Sequence, residues 1–66
     1  MDAVSVDEKK TELSLDNNEL LILYSALNEV CNGISVPEFE TRIGASKETA
    51  FTLLNDLGRT LDKVRL

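Results

Sequence analysis

The sequence predicts an all-α fold: a small three-helix domain behind a flexible N-terminal tail. Three observations predict it. Apolar residues recur every three or four positions in three separate stretches, the period of a helix with one buried face. Two of those stretches open with Asp or Ser followed three residues later by Glu, the pattern of a capping box. The links between stretches are short and hold Gly33 and Gly44, a residue type that stops helices.

Residues 1–11 are polar, with Val4 and Val6 the only sizeable apolar side chains after Met1. So little burial does not offset the entropy of ordering the chain, and a disordered tail is expected, with the domain at 12–66. Leu13 and Leu15 alternate with polar neighbours. That marks a short extended segment at 12–15 and leaves a strand there open.

The first helix starts at Asp16. Asp16 as N-cap and Glu19 form a capping box, and Leu15 and Leu20 are spaced for a hydrophobic staple. Leu20, Leu23, Tyr24, Leu27, Val30 and Cys31 fall within an arc of about 120° and form its core face. Asn32-Gly33 is the expected left-handed stop. Tyr24 and Cys31 read as core residues. No His stands near Cys31, and a helix C-terminus disfavours a thiolate.

The second helix is short, roughly 36–43. Ser35 and Glu38 make its capping box, Pro37 sits in its first turn, Ile34 can staple to Phe39, and Gly44 closes it. The third opens at Ser46 as N-cap. Ala50, Leu53, Leu54, Leu57, Leu61 and Val64 form its stripe, with Phe51 at the rim. Gly58 interrupts that stripe. Either the helix continues through it, or it ends there and residues 60–66 become an extended tail able to pair with residues 12–16. Continuation is favoured, because Leu61 and Val64 stay on the stripe.

Sixty-six residues make one domain with a small core, about 60 % of the unfolded surface being buried on folding. Cys31 is the only cysteine, and no signal-peptide pattern precedes the domain, which fits a reducing cytoplasm. The longest apolar run, Leu20 to Tyr24, is far short of a membrane span. The net charge is −5, and residues 1–33 carry it: seven acids stand against Lys9 and Lys10, while residues 34–66 hold five acids and five bases.

Phe39 to Leu57, FETRIGASKETAFTLLNDL, resembles the helix-turn-helix of bacterial regulators. Phe39, Ile43, the turn Gly44, the N-cap Ser46, Ala50 between the helices and Leu53 on the core face carry the resemblance. It implies a three-helix form of that motif. Glu40 departs from the pattern, which usually has a small residue there; its carboxylate must point outward or be paired. LLILYSALNEVCNGI with PEFETRIGASKETA is also similar to short uncharacterised bacterial, cyanobacterial-type proteins, and that likeness implies no activity.

In the usual docking of that motif, the first residues of helix 3 face base edges. The DNA-facing candidates are then Arg42, Ser46, Lys47, Thr52 and Asn55. Affinity for DNA comes mostly from neutralised phosphates. Here Glu38, Glu40, Glu48, Asp56 and Asp62 are interleaved with Arg42, Lys47, Arg59 and Lys63, so the local balance is near zero. Nucleic acid is therefore disfavoured as a partner.

Helix 1 carries more apolar surface than one stripe needs. Ile22 and Ala26 sit beside the core face and Leu21 among Ser25 and Asn28 on the polar side; with Glu29 they form a candidate protein interface. The alternative is a wide core face with Leu13 and Leu15 folding over Leu21 or Ile22. No catalytic, metal-binding or cofactor-binding residues are expected: there is no His and no Gly-rich loop before a helix, and Glu38 and Glu40 point apart. The expectation is a non-enzymatic interaction domain that self-associates as a homodimer or docks a partner protein, with no membrane, cofactor or small-molecule substrate. The alternatives are a DNA-binding regulator and an acidic inhibitor of a basic target.

Overall fold

A β-hairpin stands where the sequence predicts a loose tail. The computed structural model describes residues 1–64. Strands β1 (Asp2–Val6) and β2 (Thr11–Ser14) pair antiparallel, Asp2 opposite Ser14 and Val6 opposite Thr11. Then come α1 (Asn17–Asn28), a π turn (Glu29–Gly33), α2 (Phe39–Ile43) and α3 (Lys47–Val64).

The expected all-α class is thus corrected to an α-dominant, mixed α/β fold. The reason lies in turn chemistry and in one ion pair. The Asp7 carboxylate accepts the backbone N–H groups of Lys9 and Lys10 at 2.8 and 2.9 Å, and the Asp7 N–H donates to the Lys10 carbonyl at 3.0 Å. That side-chain loop closes the hairpin without Gly or Pro. The Met1 ammonium then donates to Glu19 at 2.8 Å, tying the start of the chain to α1. The extended segment foreseen at 12–15 is the second strand of this hairpin, moved by one residue.

Helix α1 begins as its sequence dictates. The Glu19 N–H donates to Asp16 Oδ1 at 2.7 Å, and the Asp16 N–H donates to Glu19 Oε1 at 3.0 Å. Its end differs from expectation. Gly33 is not left-handed; a π turn intervenes, with the Ile34 N–H bonded to the Glu29 carbonyl at 3.0 Å. The Asn32 side chain donates to Asn28 Oδ1 at 2.9 Å across that turn. Gly33 leaves room for the Glu29 carboxylate, which a Cβ there would strike.

The second capping box does not form. Glu38 has φ 54° and ψ 48°, a left-handed conformation, and makes no side-chain cap. Residues between Ser35 and Phe39 therefore cannot be helical, and α2 shrinks to little more than one turn. Gly44 closes it with φ 88°, as expected. Ser46 does cap α3: its Oγ accepts the Thr49 N–H at 3.1 Å. The helix runs through Gly58 to Val64. Residues 65 and 66 of the expected domain, and of the alternative C-terminal tail, lie outside the described residues.

The core lies between α1 with its π turn and α3, which run antiparallel. Cys31, Ala50 and Leu54 are buried together, with Tyr24, Leu27, Phe39 and Phe51 packed against them; Leu20 and Leu61 are also buried. Gly58 meets the Tyr24 ring. Leu23, Leu53 and Val64, expected on the core faces, are instead 44 %, 52 % and 40 % exposed. Two helices lying side by side bury only the sector each turns to the other, so the rest of a broad apolar arc stays open.

Candidate docking groove

Those open arcs line one groove. Leu13 of β2 and Leu15 just after it, Leu23, Ala26 and Leu27 of α1, and Leu53 and Leu57 of α3 line it. Val30 and Ile43 complete the lining. The groove is open to solvent, has a volume of about 540 Å³, and is lined by no charged side chain among the described residues. Helical spacing explains the placement. Leu23, Ala26 and Val30 follow one another at three and four positions, as do Leu53 and Leu57, so each set makes one ridge.

The hairpin prolongs this face. Ala3 lies opposite Leu13, the register slips by one residue between Ala3 and Ser5, and Val6 then lies opposite Thr11. Paired residues project from the same side of a sheet, and residues two apart on a strand share a side. Ala3, Val6 and Thr11 therefore share a face of the hairpin with Leu13, the one of the four that lines the groove. Without the bulge at Val4, Val6 would point the other way.

A smaller cavity of about 240 Å³ lies alongside, lined by Met1, Glu19, Ile22 and Leu23. Here Glu19 has two tasks: it caps α1 and holds the Met1 ammonium. Its hydrogen bond with that ammonium, and then its bond from the Asp16 N–H, keep its carboxyl below the usual range. The backbone N–H donors of Lys10 and Lys9 lower the Asp7 carboxyl in the same way.

No family model, curated protein or solved structure matches this chain. The arrangement of its own side chains carries the functional argument.

The four residues of the candidate interface separate. Ala26 lies in the groove, and Ile22, 58 % exposed, borders it in the smaller cavity. Leu21, 40 % exposed, projects from α1 about 160° away from Leu23, on the far side. The Glu29 carboxylate is folded over Gly33. Leu23, Leu53 and Leu57 were the harder residues to read, because a core stripe and a docking stripe have the same periodicity. The available signal was width: the apolar arcs exceed what one helix contact covers.

The DNA-facing candidates lie on the outside of α2 and α3. Ser46 Oγ is engaged with Thr49, and Thr52 Oγ1 donates to the Glu48 carbonyl at 3.1 Å. Lys47 sits over the Phe39 ring, 5.9 Å from its centre. Arg42 and Asn55 are exposed, and so is Glu40, which points outward. A shallow depression of about 680 Å³ lies here, bordered by Glu38, Phe39, Glu40, Thr41 and Lys47. Among the described residues, no helix is long and apolar enough to cross a membrane.

Proposed function

We propose that this chain is a small, non-enzymatic, cytoplasmic interaction module that docks a protein partner, or itself, through the groove beside α1. The observation that carries this reading is a groove whose described lining is uncharged, on a chain whose described residues bury five core side chains. Leu13, Leu23, Ile43 and Leu53 are 39–52 % exposed there. Covering what remains open of each contributes roughly 1 kcal/mol, about half the value of a fully transferred side chain. A monomer gains that stability only by docking. The buried free thiol of Cys31 suits a reducing compartment.

Leu53→Glu tests the groove. A docking surface tolerates this charge, so the variant should unfold within about 1 kcal/mol of the wild type at dilute, monomeric concentration. A loss of folding would make Leu53 a core residue and the groove an unfilled interior.

A second reading, a helix-turn-helix regulator that lays α3 on DNA, is favoured by the Gly44 turn, the Ser46 cap and the buried Ala50. The acidic residues interleaved along that face weigh against it.

A further inference from the structure

We infer that the occupant of this face is a second copy of the chain, packed about a two-fold axis so that groove and hairpin are buried together. The inference rests on the groove being a docking surface and commits to what covers it.

Surface area argues for it first. A folded monomer of 7.3 kDa exposes about 4,200 Å². This chain exposes 5238 Å². The surplus of roughly 1,000 Å² exceeds the ~800 Å² per partner that a stable pair of ordinary size buries. The shape agrees. The radius of gyration is 13.1 Å, against about 11 Å for a closed globule of this length, and the molecule is a slab of 34 × 33 × 16 Å. Half of a larger body has such proportions.

The match of the two elements argues for the same chain as partner. One molecule carries both a groove and a projecting arm whose Ala3, Val6 and Leu13 side continues that groove. Val6 is 68 % exposed. An isologous pair uses both elements twice, each arm extending the contact made by the other copy's helices. Charge permits it. Among the described residues, no ionised side chain lines the groove, so two chains of net charge −5 can meet at the groove itself without apposing acids there. A different partner would have to supply a ridge for the groove and a separate cover for the hairpin.

Sedimentation from about 1 µM to about 1 mM tests this, with amide exchange to confirm that each variant is folded. The wild type should reach the mass of a dimer and stop there. Leu53→Glu should weaken association at least about a hundredfold, and Val6→Asp, on the arm alone, at least about tenfold. A wild type that stays monomeric at about 1 mM while Leu53→Glu folds normally overturns the inference and leaves the groove as a site for another protein. A Val6→Asp chain that dimerises as tightly as the wild type overturns the shared burial of hairpin and groove. A mass that climbs past the dimer overturns the closed pair, since free strand edges would then drive assembly. Unfolding of Leu53→Glu overturns the docking surface itself, and with it this inference.

Discussion

The Tyr24 ring occupies the space that a side chain on Gly58 would need: a Cβ there would lie 3.2 Å from Tyr24 Cε1. This explains a glycine inside an 18-residue helix, where it costs about 1 kcal/mol relative to Ala. The missing Cβ lets α3 cross α1 at the tyrosine.

Substitutions at Gly58 should follow from that contact. Ala adds helix propensity of about 1 kcal/mol but makes the half-buried ring give by a few tenths of an ångström, so Gly58→Ala should change stability by less than about 1 kcal/mol. Gly58→Val adds two more methyls and should cost about 2 kcal/mol or more. Urea unfolding checks both. In a Tyr24→Ala background most of the Gly58→Val penalty should vanish. An equal penalty in both backgrounds would show that the ring is not what the glycine accommodates.

Glu38 offers a gain in the opposite direction. A non-glycine residue in the left-handed region carries a cost of about 1 kcal/mol or more, and the Glu38 side chain makes no capping bond that repays it. The Glu38 carbonyl accepts the Arg42 N–H at 3.1 Å, a backbone bond that any residue keeps. Glu38→Gly should therefore raise stability by about 0.5–1 kcal/mol, less the extra freedom Gly gives the unfolded chain. Thermal unfolding by circular dichroism measures it. A lower midpoint would mean that the Glu38 side chain itself holds the turn.

The same residues show how far the sequence could be read. Asp16 and Glu19 announced the start of α1 because a capping box needs only local atoms. Gly44 and Ser46 were legible for the same reason. Ser35 and Glu38 present the same signature and do not form a box, since the left-handed Glu38 excludes it. The hairpin was missed because its turn, Asp7 to Lys10, lacks the usual Gly, Pro or Asn signals, and because the Met1–Glu19 contact joins residues 18 apart. Ile22 and Ala26, expected beside the core face, border the smaller cavity and the groove. Leu23 and Leu53, expected in the core, are exposed, because periodicity gives the face of a helix but not which neighbour covers it.

Duplex DNA should bind weakly. Ser46 and Thr52 spend their hydroxyls inside the chain, Lys47 lies over Phe39, and Arg59 pairs with Asp56. Among the described residues, few cations remain to neutralise phosphates. Fluorescence titration of a mixed-sequence duplex should show dissociation constants above about 100 µM at physiological salt, with little change for Lys47→Ala. Micromolar affinity that drops steeply with salt and weakens in Lys47→Ala would instead establish α3 as a DNA-reading helix.

Acid should loosen the hairpin before it unfolds the helices. Asp7 and Glu19 both have carboxyls lowered in the fold, Asp7 by the N–H donors of Lys10 and Lys9, Glu19 by the Met1 ammonium and then the Asp16 N–H. A lowered folded value means that the contribution is fully present above the ordinary values of 3.8 and 4.5 and is lost as pH falls through the folded ones. Between about pH 5 and pH 3, amide exchange at Thr11–Ser14, corrected for its intrinsic pH dependence, should quicken relative to Ala50–Leu61. Asp7→Asn keeps an acceptor for the two turn N–H groups but removes one titration, so its hairpin should respond less to acid. Glu19→Gln removes the ionic partner of Met1, so its hairpin should already exchange faster at neutral pH. Acetylating the Met1 amine should reproduce Glu19→Gln, because it deletes the other half of the same ion pair. If acetylation left the exchange rates of β2 unchanged, the tether between the chain's start and α1 would not be what orders the hairpin.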